Sequence, residues 1–402
     1  MPRNEPITIL CLASYFKGGE FMRELKRQQC RVLLITRDRY REEAWPWESI
    51  DEVFYMPDMS QVTEIIYAVS YLARTRTIDR IVPMDDYDVE MAAALREHLR
   101  VPGMGDTTAR YFRDKLAMRV QARDKGILVP EFVHVLNYDR LREFMETVPS
   151  PWVFKPRSEA GSIGIRKIQS AGEFWPSLDV LGDRQSFYVL EHFIPGDVFH
   201  VDSLISEREV VFASISRYGQ APMKLMHEGG VFSTQTVPME TAEAQTLQAL
   251  NKDVIAAMGM VRGVTHAEFI QAYADGRFYF LEMAGRVGGA NIDRVVEAAT
   301  GVQLWREWAR IEVAHAQGAA YEPPPARTGS AGLVTCLAQQ EWPDTSAYND
   351  PEIVWRLPKH HHVGLLVTST DAARVQWLIN SYSERLERDF LAVEPPPSRP
   401  VD

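Results

Sequence analysis

The chain has 402 residues, which suits two or three domains, and its 55 acidic against 44 basic residues give a net charge of −11. That balance leaves no basic surplus to neutralise phosphates, so a nucleic-acid partner is not expected. Cys11, Cys30 and Cys336 are scattered and include no Cys-x-x-Cys pair, which excludes a disulfide framework and a zinc ribbon and points to a reducing, cytoplasmic setting.

The apolar run from Ile7 to Phe16 is too short to span a bilayer and lacks a small-residue cleavage signature, so it reads as a buried first strand, with no membrane partner. Beyond a Gly18-Gly19 turn, a helix is predicted near Glu20 to Gln29 and a strand over Arg31 to Thr36. Then come a strand at Glu52 to Tyr55, a helix near Ser60 to Thr75, a strand at Arg80 to Pro83 and a helix near Asp88 to Leu99. This alternation predicts a parallel, doubly wound sheet. Lys17-Gly-Gly-Glu20 lacks the Gly-x-Gly-x-x-Gly pattern of dinucleotide sites, which sets aside a nicotinamide dehydrogenase and leaves this unit as scaffold.

Residues 107–129 read as one helix stopped at Gly126, with Pro130 beyond it. Strand-like Trp152 to Lys155 and Ile165 to Ile168 flank a long small-residue loop, Pro156 to Gly164. Further strands are expected over Phe187 to Glu191 and Val198 to Ser206. Helices follow over Asn291 to Thr300, closed by Gly301, and over Leu304 to Ala316. Pro323-Pro-Pro325 marks a linker, a mixed α and β pattern runs from Ser330 to about Arg388, and the Pro395-Pro-Pro397 tail reads as disordered. The consecutive histidines of Lys359-His-His-His362 project in different directions, so a loop is expected there and not a metal site.

The stretch His266 to Arg286 carries β-formers on both sides of Ala274-Asp275-Gly276 and reads as an antiparallel hairpin. With a three-residue loop centred on Asp275, Glu268 and Glu282 lie directly opposite on one face. A two-residue loop would put them on opposite faces, and the segment alone leaves both registers open. Opposed carboxylates persist where a shared cation offsets their repulsion, and Mg²⁺ or Mn²⁺ is the hard cation such a pair suits; two solvated edge charges are the alternative.

Three further features belong with that pair. Lys155 ends an apolar strand and could neutralise a phosphate oxygen or simply sit exposed at the strand end. Ser158 to Gly164 has bare backbone at Gly161 and Gly164 that could close over a polyphosphate, as any flexible hairpin loop could. Arg286, with Gly288 and Gly289 before a helix start, offers a planar fork and backbone donors to a carboxylate; a turn with a solvated arginine is the alternative. The Tyr218 to Gly230 segment, with His227, is a candidate loop over the acceptor substrate or a surface excursion.

In this order the pieces resemble the ATP-grasp superfamily over residues 7–310. The resemblance rests on Arg113-Asp-Lys115-Leu-Ala-Met-Arg119, Gly126-Ile-Leu-Val-Pro130, Val153-Phe-Lys-Pro156 with its lid loop, Val189-Leu-Glu-His-Phe-Ile-Pro-Gly196, His266-Ala-Glu268 and Leu281-Glu-Met-Ala-Gly-Arg286. It implies an α/β and α+β architecture. An N-terminal doubly wound parallel-sheet domain would span residues 1–106, an ATP-grasp domain 107–322 with a lid at about 115–190, and a small α+β domain 323–402.

The resemblance further implies that Lys115 and Lys155 contact ATP phosphates or the adenine edge, that Ser162 and Gly164 belong to the lid, and that Glu191, His192, Phe193 and Ile194 bind adenine. Glu268 and Glu282 would hold Mg²⁺ (or Mn²⁺). The family often has Asn two residues after its second acidic ligand; Ala284 stands here, and Asn291 is the candidate replacement. Val198 occupies the usual ribose-binding Glu position, leaving Asp197 or His200 as stand-ins.

The Glu282-x-x-x-Arg286-x-Gly-Gly form resembles carboxylate–amine ligases, which turn a carboxylate into an acylphosphate for attack by an amine and release ADP and phosphate. Expected partners are therefore a small carboxylate and an amine, both amino acids, and a homodimer is compatible with this reading. Arg286 and Lys155 are the expected catalytic groups, and Gly288, Gly289 and His227 the expected substrate contacts. A carboxylase, a purine-type ligase and a nucleotide-binding protein without turnover are the rival readings.

Overall fold

The computed structural model describes residues 5–393, except the side chains of Met226 and His227. The N-terminal unit is a parallel sheet of β1 (Thr8–Ala13), β2 (Arg31–Arg37), β3 (Glu52–Met56) and β4 (Arg80–Pro83) in the order β3-β2-β1-β4. It alternates with α1 (Gly19–Arg27), α2 (Val62–Leu72) and α3 (Val89–Leu99). Its strands are apolar without alternation because both faces are covered. Ile9, Cys11 and Ala13 lie in a core with Phe21, Met22 and Leu25 of α1, whereas Leu10 and Leu12 face Ile65 and Val69 of α2 and Leu95 of α3. Strand order reverses between β1 and β4, and the carboxyl end of β4 runs into the Met84 to Asp88 turn, where such sheets open a crevice.

The expected single helix over 107–129 is instead two, α4 (Asp106–Arg110) and α5 (Lys115–Asp124). Asp114 is the reason: its side chain accepts from the Leu116 and Ala117 backbone N–H groups, capping a new helix. Gly126, at φ 77°, then turns the chain out of α5.

A small antiparallel sheet follows, built from β5 (Phe132–His134), α6 (Tyr138–Thr147), β6 (Trp152–Pro156), β7 (Arg166–Ile168), α7 (Ala171–Asp179) and β8 (Tyr188–His192), with strand order β5-β8-β6-β7. Phe154, Phe174, Leu141 and Leu190 form its core.

The large sheet contains β9 (Gly196–Ser206), β10 (Glu209–Tyr218), α8 (Pro222–Glu228) as an excursion, β11 (Phe232–Thr236), α9 (Ala242–Met258) across its back, and the hairpin β12 (Gly263–Ala272) and β13 (Phe278–Ala284). After α10 (Ile292–Thr300) and α11 (Leu304–Gln317), β14 (Ser330–Leu337), β15 (Ile353–Arg356) and β16 (His362–Ser369) join this same sheet, and α12 (Ala372–Asp389) packs on them. The order is β13-β12-β9-β10-β11-β14-β16-β15. The C-terminal segment has its own core around Leu378, Tyr382 and Val367 yet continues the central sheet through β11 and β14. The Pro395 to Pro397 tail lies outside the described residues.

In the β12–β13 hairpin Glu268 pairs with Glu282, but not by the route expected. Near the tip Gln271 pairs with Phe278 and Phe269 with Phe280, one residue off the three-residue-loop register, and a bulge at Leu281 then restores Glu268 opposite Glu282. No described helix is long and apolar enough to cross a membrane, and all three cysteines are buried free thiols.

Candidate functional site

Two adjoining cavities lie between the small sheet and the large one, with volumes of about 130 and 240 Å³. The first is a slot with Val153, Ile165, Val198, Ile270 and Leu281 on its walls and Lys115, Lys155, Glu191 and Glu282 among them, which suits a flat apolar ring with charge at one end. Ser162, His192, Phe193, Ile194 and Glu268 also line it. The second holds Arg286, Arg113, Asp86, Tyr218, His266 and Gly289, and shares Lys115, Ser162, Glu268 and Glu282 with the first.

Helix α5 supplies the cations. Lys115 is its first residue, and the ammonium donates to the Glu159 carbonyl at 2.6 Å and lies 3.2 Å from Glu282. One turn later Arg119, fully buried, pairs with Glu191 at 2.9 Å and donates to the carbonyl of the bulge residue Leu281, which the bulge takes out of the regular ladder.

Lys155 is not an exposed strand-end lysine: it is 6% accessible and 2.8 Å from Glu191. Burial pushes its ammonium below the usual lysine range despite Glu191. Burial would raise the Glu191 carboxyl, but Arg119 and Lys155 outweigh it and hold the group below the ordinary range. The Glu191 side chain is thus clamped between two cations. Burial likewise opposes ionisation of Glu282, and Lys115 and Lys155 overcome it.

The second cavity's charged floor follows from strand periodicity. On β9, β12 and β13 one face puts Val201, Ala267, Phe269 and Phe280 into the core, and the other presents His200, Asp202, His266, Glu268 and Glu282. His200 and His266 each direct Nδ1 at one oxygen of Asp202, at 2.7 and 2.9 Å. Tyr218 donates to Glu268 at 2.9 Å, and His266 Nε2 stands 3.5 Å from the same oxygen. The donor atoms of His200, Asp202 and His266 cluster within 4.8 Å, but both Asp202 oxygens are committed to imidazoles and His200 Nε2 to Thr234, so this is a hydrogen-bonded support and not a cation cage. Burial pulls the His266 imidazole down, but Asp202 and Glu268 together outweigh it and push it up to about 10. A Cβ at Gly288 would stand 2.9 Å from the Asp202 carboxylate and 3.0 Å from His266, so only glycine lets this backbone close over the pair.

Arg286 is held from the N-terminal unit: its Nε and Nη2 lie 2.7 and 2.6 Å from Asp86, in the turn after β4. That turn is anchored by Asp88, which accepts from the Ser14 N–H and hydroxyl. The lid loop is tethered to the same region through Tyr87 to Glu159 at 2.8 Å and Arg113 to the Ser158 carbonyl. Within it Gly161, Ser162 and Gly164 all have left-handed φ, near 65°, 61° and 70°.

Several expected placements differ. Asp197 does not line the slot; it is a half-exposed acceptor for Tyr273, because the strand carries Val198 inward and its neighbour outward. His200 lies under the floor. Asn291 lines neither cavity and sits at φ 59° just before α10, with no side-chain cap. Gly164 is in the lid but contributes no lining; a Cβ there would stand 3.0 Å from Pro156. The Tyr218 to Gly230 segment is not a loop but contains α8, whose Pro222 and Met223 cover the slot; the His227 side chain lies outside the described residues. Sequence reasoning missed Arg119, Asp86, Asp202 and Tyr218. Only Arg119 carried a local signal, four residues from Lys115 on one helix face.

Residues 148–293 match the ATP-grasp domain family, so the chain carries an ATP-grasp domain over that stretch. Among its relatives is the L-arginine-specific L-amino acid ligase of Bacillus subtilis, 26% identical over 290 residues that make up 70% of this chain and 68% of that enzyme. The D-alanine–D-alanine ligase of Thermotoga sp. (strain RQ2) is 25% identical over 46% of this chain, a match that spans 64% of that enzyme, less than two thirds of it. The fold is shared with the crystal structure of an L-amino acid ligase from Bacillus licheniformis, at TM-score 0.75 and 17% identity over 97% of this chain and 99% of that one. An N5-carboxyaminoimidazole synthetase from Staphylococcus aureus, crystallised with ADP, superposes at TM-score 0.71 and 14% identity over 94% and 98%.

Proposed function

We propose that the chain is an ATP-dependent carboxylate–amine ligase that joins two amino acids and releases ADP and phosphate. The observation that carries this reading is the position of Glu268 and Glu282 at the junction of an apolar, lysine-bearing slot and a second cavity headed by Arg286. In this reading residues 107–322 form the catalytic domain, residues 1–106 support the acceptor end through Asp86, and the 323–402 domain extends the sheet through β14, β15 and β16.

Adenine fills the slot beside His192, Phe193 and Ile194, and Lys115 and Lys155 face the phosphates. The donor set at the junction, two carboxylates beside cavities open to phosphates and water, fits Mg²⁺ or Mn²⁺, with Tyr218 and His266 orienting Glu268. Such a cation would offset charge on the transferring phosphoryl group. Arg286 and the backbone at Gly289 hold the acceptor carboxylate, whose oxygen attacks the γ-phosphorus as ADP departs. The amine then attacks the acyl carbon, expels phosphate and loses a proton. The lid at Ser162, tethered by Tyr87 and Arg113, keeps water from the acylphosphate.

The test is ADP and phosphate release from Mg-ATP across pairs of amino acids. Release that needs a particular pair, with a dipeptide in the product mass spectrum, supports the reading. ATP binding without release under any pair would leave a binding protein, and release with bicarbonate alone would leave a carboxylase.

A further inference from the structure

Behind the second cavity, on the other side of one peptide, lies a cleft of about 30 Å³ that shares no residue with either cavity described above. Ala284 and Arg286 face the second cavity, and Gly285 between them faces this cleft. Its polar walls are Arg96 of α3, Arg262 just before β12 and Glu312 of α11, and β4, Met104, Met260 and Trp308 give the apolar ones.

The cleft is short of negative charge. Arg96 spends its guanidinium on main-chain carbonyls, those of Ile81 and Met104, and on no carboxylate among the described residues. Burial, then Arg262 and Arg80, push Arg96 down to about 10, with Glu312 acting against them. Arg262 has a buried Nε with no hydrogen-bond acceptor among the described residues, and its nearest carboxylate, that of the exposed Glu207, is 3.7 Å away.

His315 cannot relieve this. Its Nδ1 faces an N–H group of Arg80 and its Nε2 one of Arg262. A neutral imidazole accepts at one nitrogen only, so one of these contacts sets N–H against N–H. Among the residues lining the cleft, Glu312 is the one carboxylate beside Arg96 and Arg262, and it lies 3.7 Å from Arg80. The main chain makes room for Arg96: a Cβ at Gly103 would stand 2.6 Å from its side chain.

We propose that this cleft binds a small oxyanion such as inorganic phosphate, held between Arg96 and Arg262 against the back of Gly285. The volume admits a group of that size, roughly a few waters, and excludes a nucleotide. Planar guanidinium forks suit tetrahedral oxyanions, and Arg262, paired among the described residues only at 3.7 Å with an exposed glutamate and with its Nε unused, keeps its fork open to one. The anion would touch the chain one residue from Arg286 and, through Pro83, three residues from Asp86, so its occupancy bears on both ends of the pair that heads the second cavity. Binding here stands independently of the reaction the large cavities perform.

The test is isothermal titration of inorganic phosphate into the full chain, with the large cavities filled by a non-hydrolysable ATP analogue and Mg²⁺. One saturable site is expected, with affinity at least tenfold weaker in Arg262→Met. A wild-type protein with no saturable site overturns the proposal, as does unchanged affinity in the variant. Should that variant fail to fold, selenate soaked into wild-type crystals decides the matter. An anomalous peak between Arg96 and Arg262 supports the site, and peaks confined to the large cavities overturn it.

Discussion

The slot and the second cavity meet at the same two glutamates but are assembled in opposite ways. The slot takes Lys115, Arg119, Lys155 and Glu191 from residues 115–191, and together with Glu282 they make a closed network of ion pairs, three cations against two carboxylates. The second cavity takes Asp86, Arg113, Tyr218 and Arg286 from four distant segments, and its arginine is positioned by a turn of the N-terminal sheet. On the proposed reading, the nucleotide end is self-contained, whereas the acceptor end depends on how two units meet, and specificity for the acceptor would change through the N-terminal unit without disturbing the slot.

The harshest break is at the junction both cavities share. Glu282→Ala should reduce ADP formation by at least about a hundredfold, the scale of losing one electrostatic stabiliser, measured as steady-state release at saturating ATP. Next is the slot's closed ion set. Arg119→Met leaves Glu191 with one cation and the Leu281 carbonyl with none, and should cost about 3–5 kcal/mol in urea denaturation, as removal of one partner of a buried pair does.

At the acceptor end the effect should be smaller and confined. Arg286→Lys keeps the charge and loses the fork, raising KM for the carboxylate about tenfold or more while ATP affinity, read by calorimetry, stays unchanged. A loss of ATP affinity in this variant would erase the contrast between the two ends.

The mildest test concerns Asp88, which anchors the turn carrying Asp86. Burial, and then Asp85, push its carboxyl up to about 7, against the donors from Ser14. The folded state therefore holds a proton that the unfolded state has released between about pH 4 and 7. Stability from this group falls as pH rises through that window, by at most about 1.4 kcal/mol per pH unit. Asp88→Asn should flatten the wild-type decline in melting temperature over that range; an identical decline in the variant would show that Asp88 does not carry it.

Much of this was legible in the sequence, and the misses have a common cause. Helix and strand positions followed apolar periodicity, and Lys115, Lys155 and Glu191 stood in motifs whose local structure aims them at the slot. The break before α5 was legible in principle, since Asp114 is a strong capping residue, but the long apolar period masked it. Asp86 carried no signal, because its partner Arg286 lies 200 residues away, and at Asp202 the nearby His200 gave no hint of His266, 64 residues on, with which it shares the carboxylate. Asp197 and Asn291 were placed by position relative to a motif, and one residue of strand alternation or one left-handed turn moves a side chain off a surface.

The bulge at Leu281 can be understood as a change of reading frame. In strict alternation Glu282 shares parity with Phe278 and Phe280, and both of these face the core. One supernumerary residue shifts the phase, so that Met283 takes over the apolar face and Glu282 emerges opposite Glu268. The acidic pair therefore depends on a count of residues as well as on their kind. Deleting Leu281, a change that removes no charge, would place Glu282 directly after Phe280, still on the face away from the core and across from Glu268, but would take away the carbonyl to which Arg119 donates; substitutions at the same position keep both the bulge and that carbonyl.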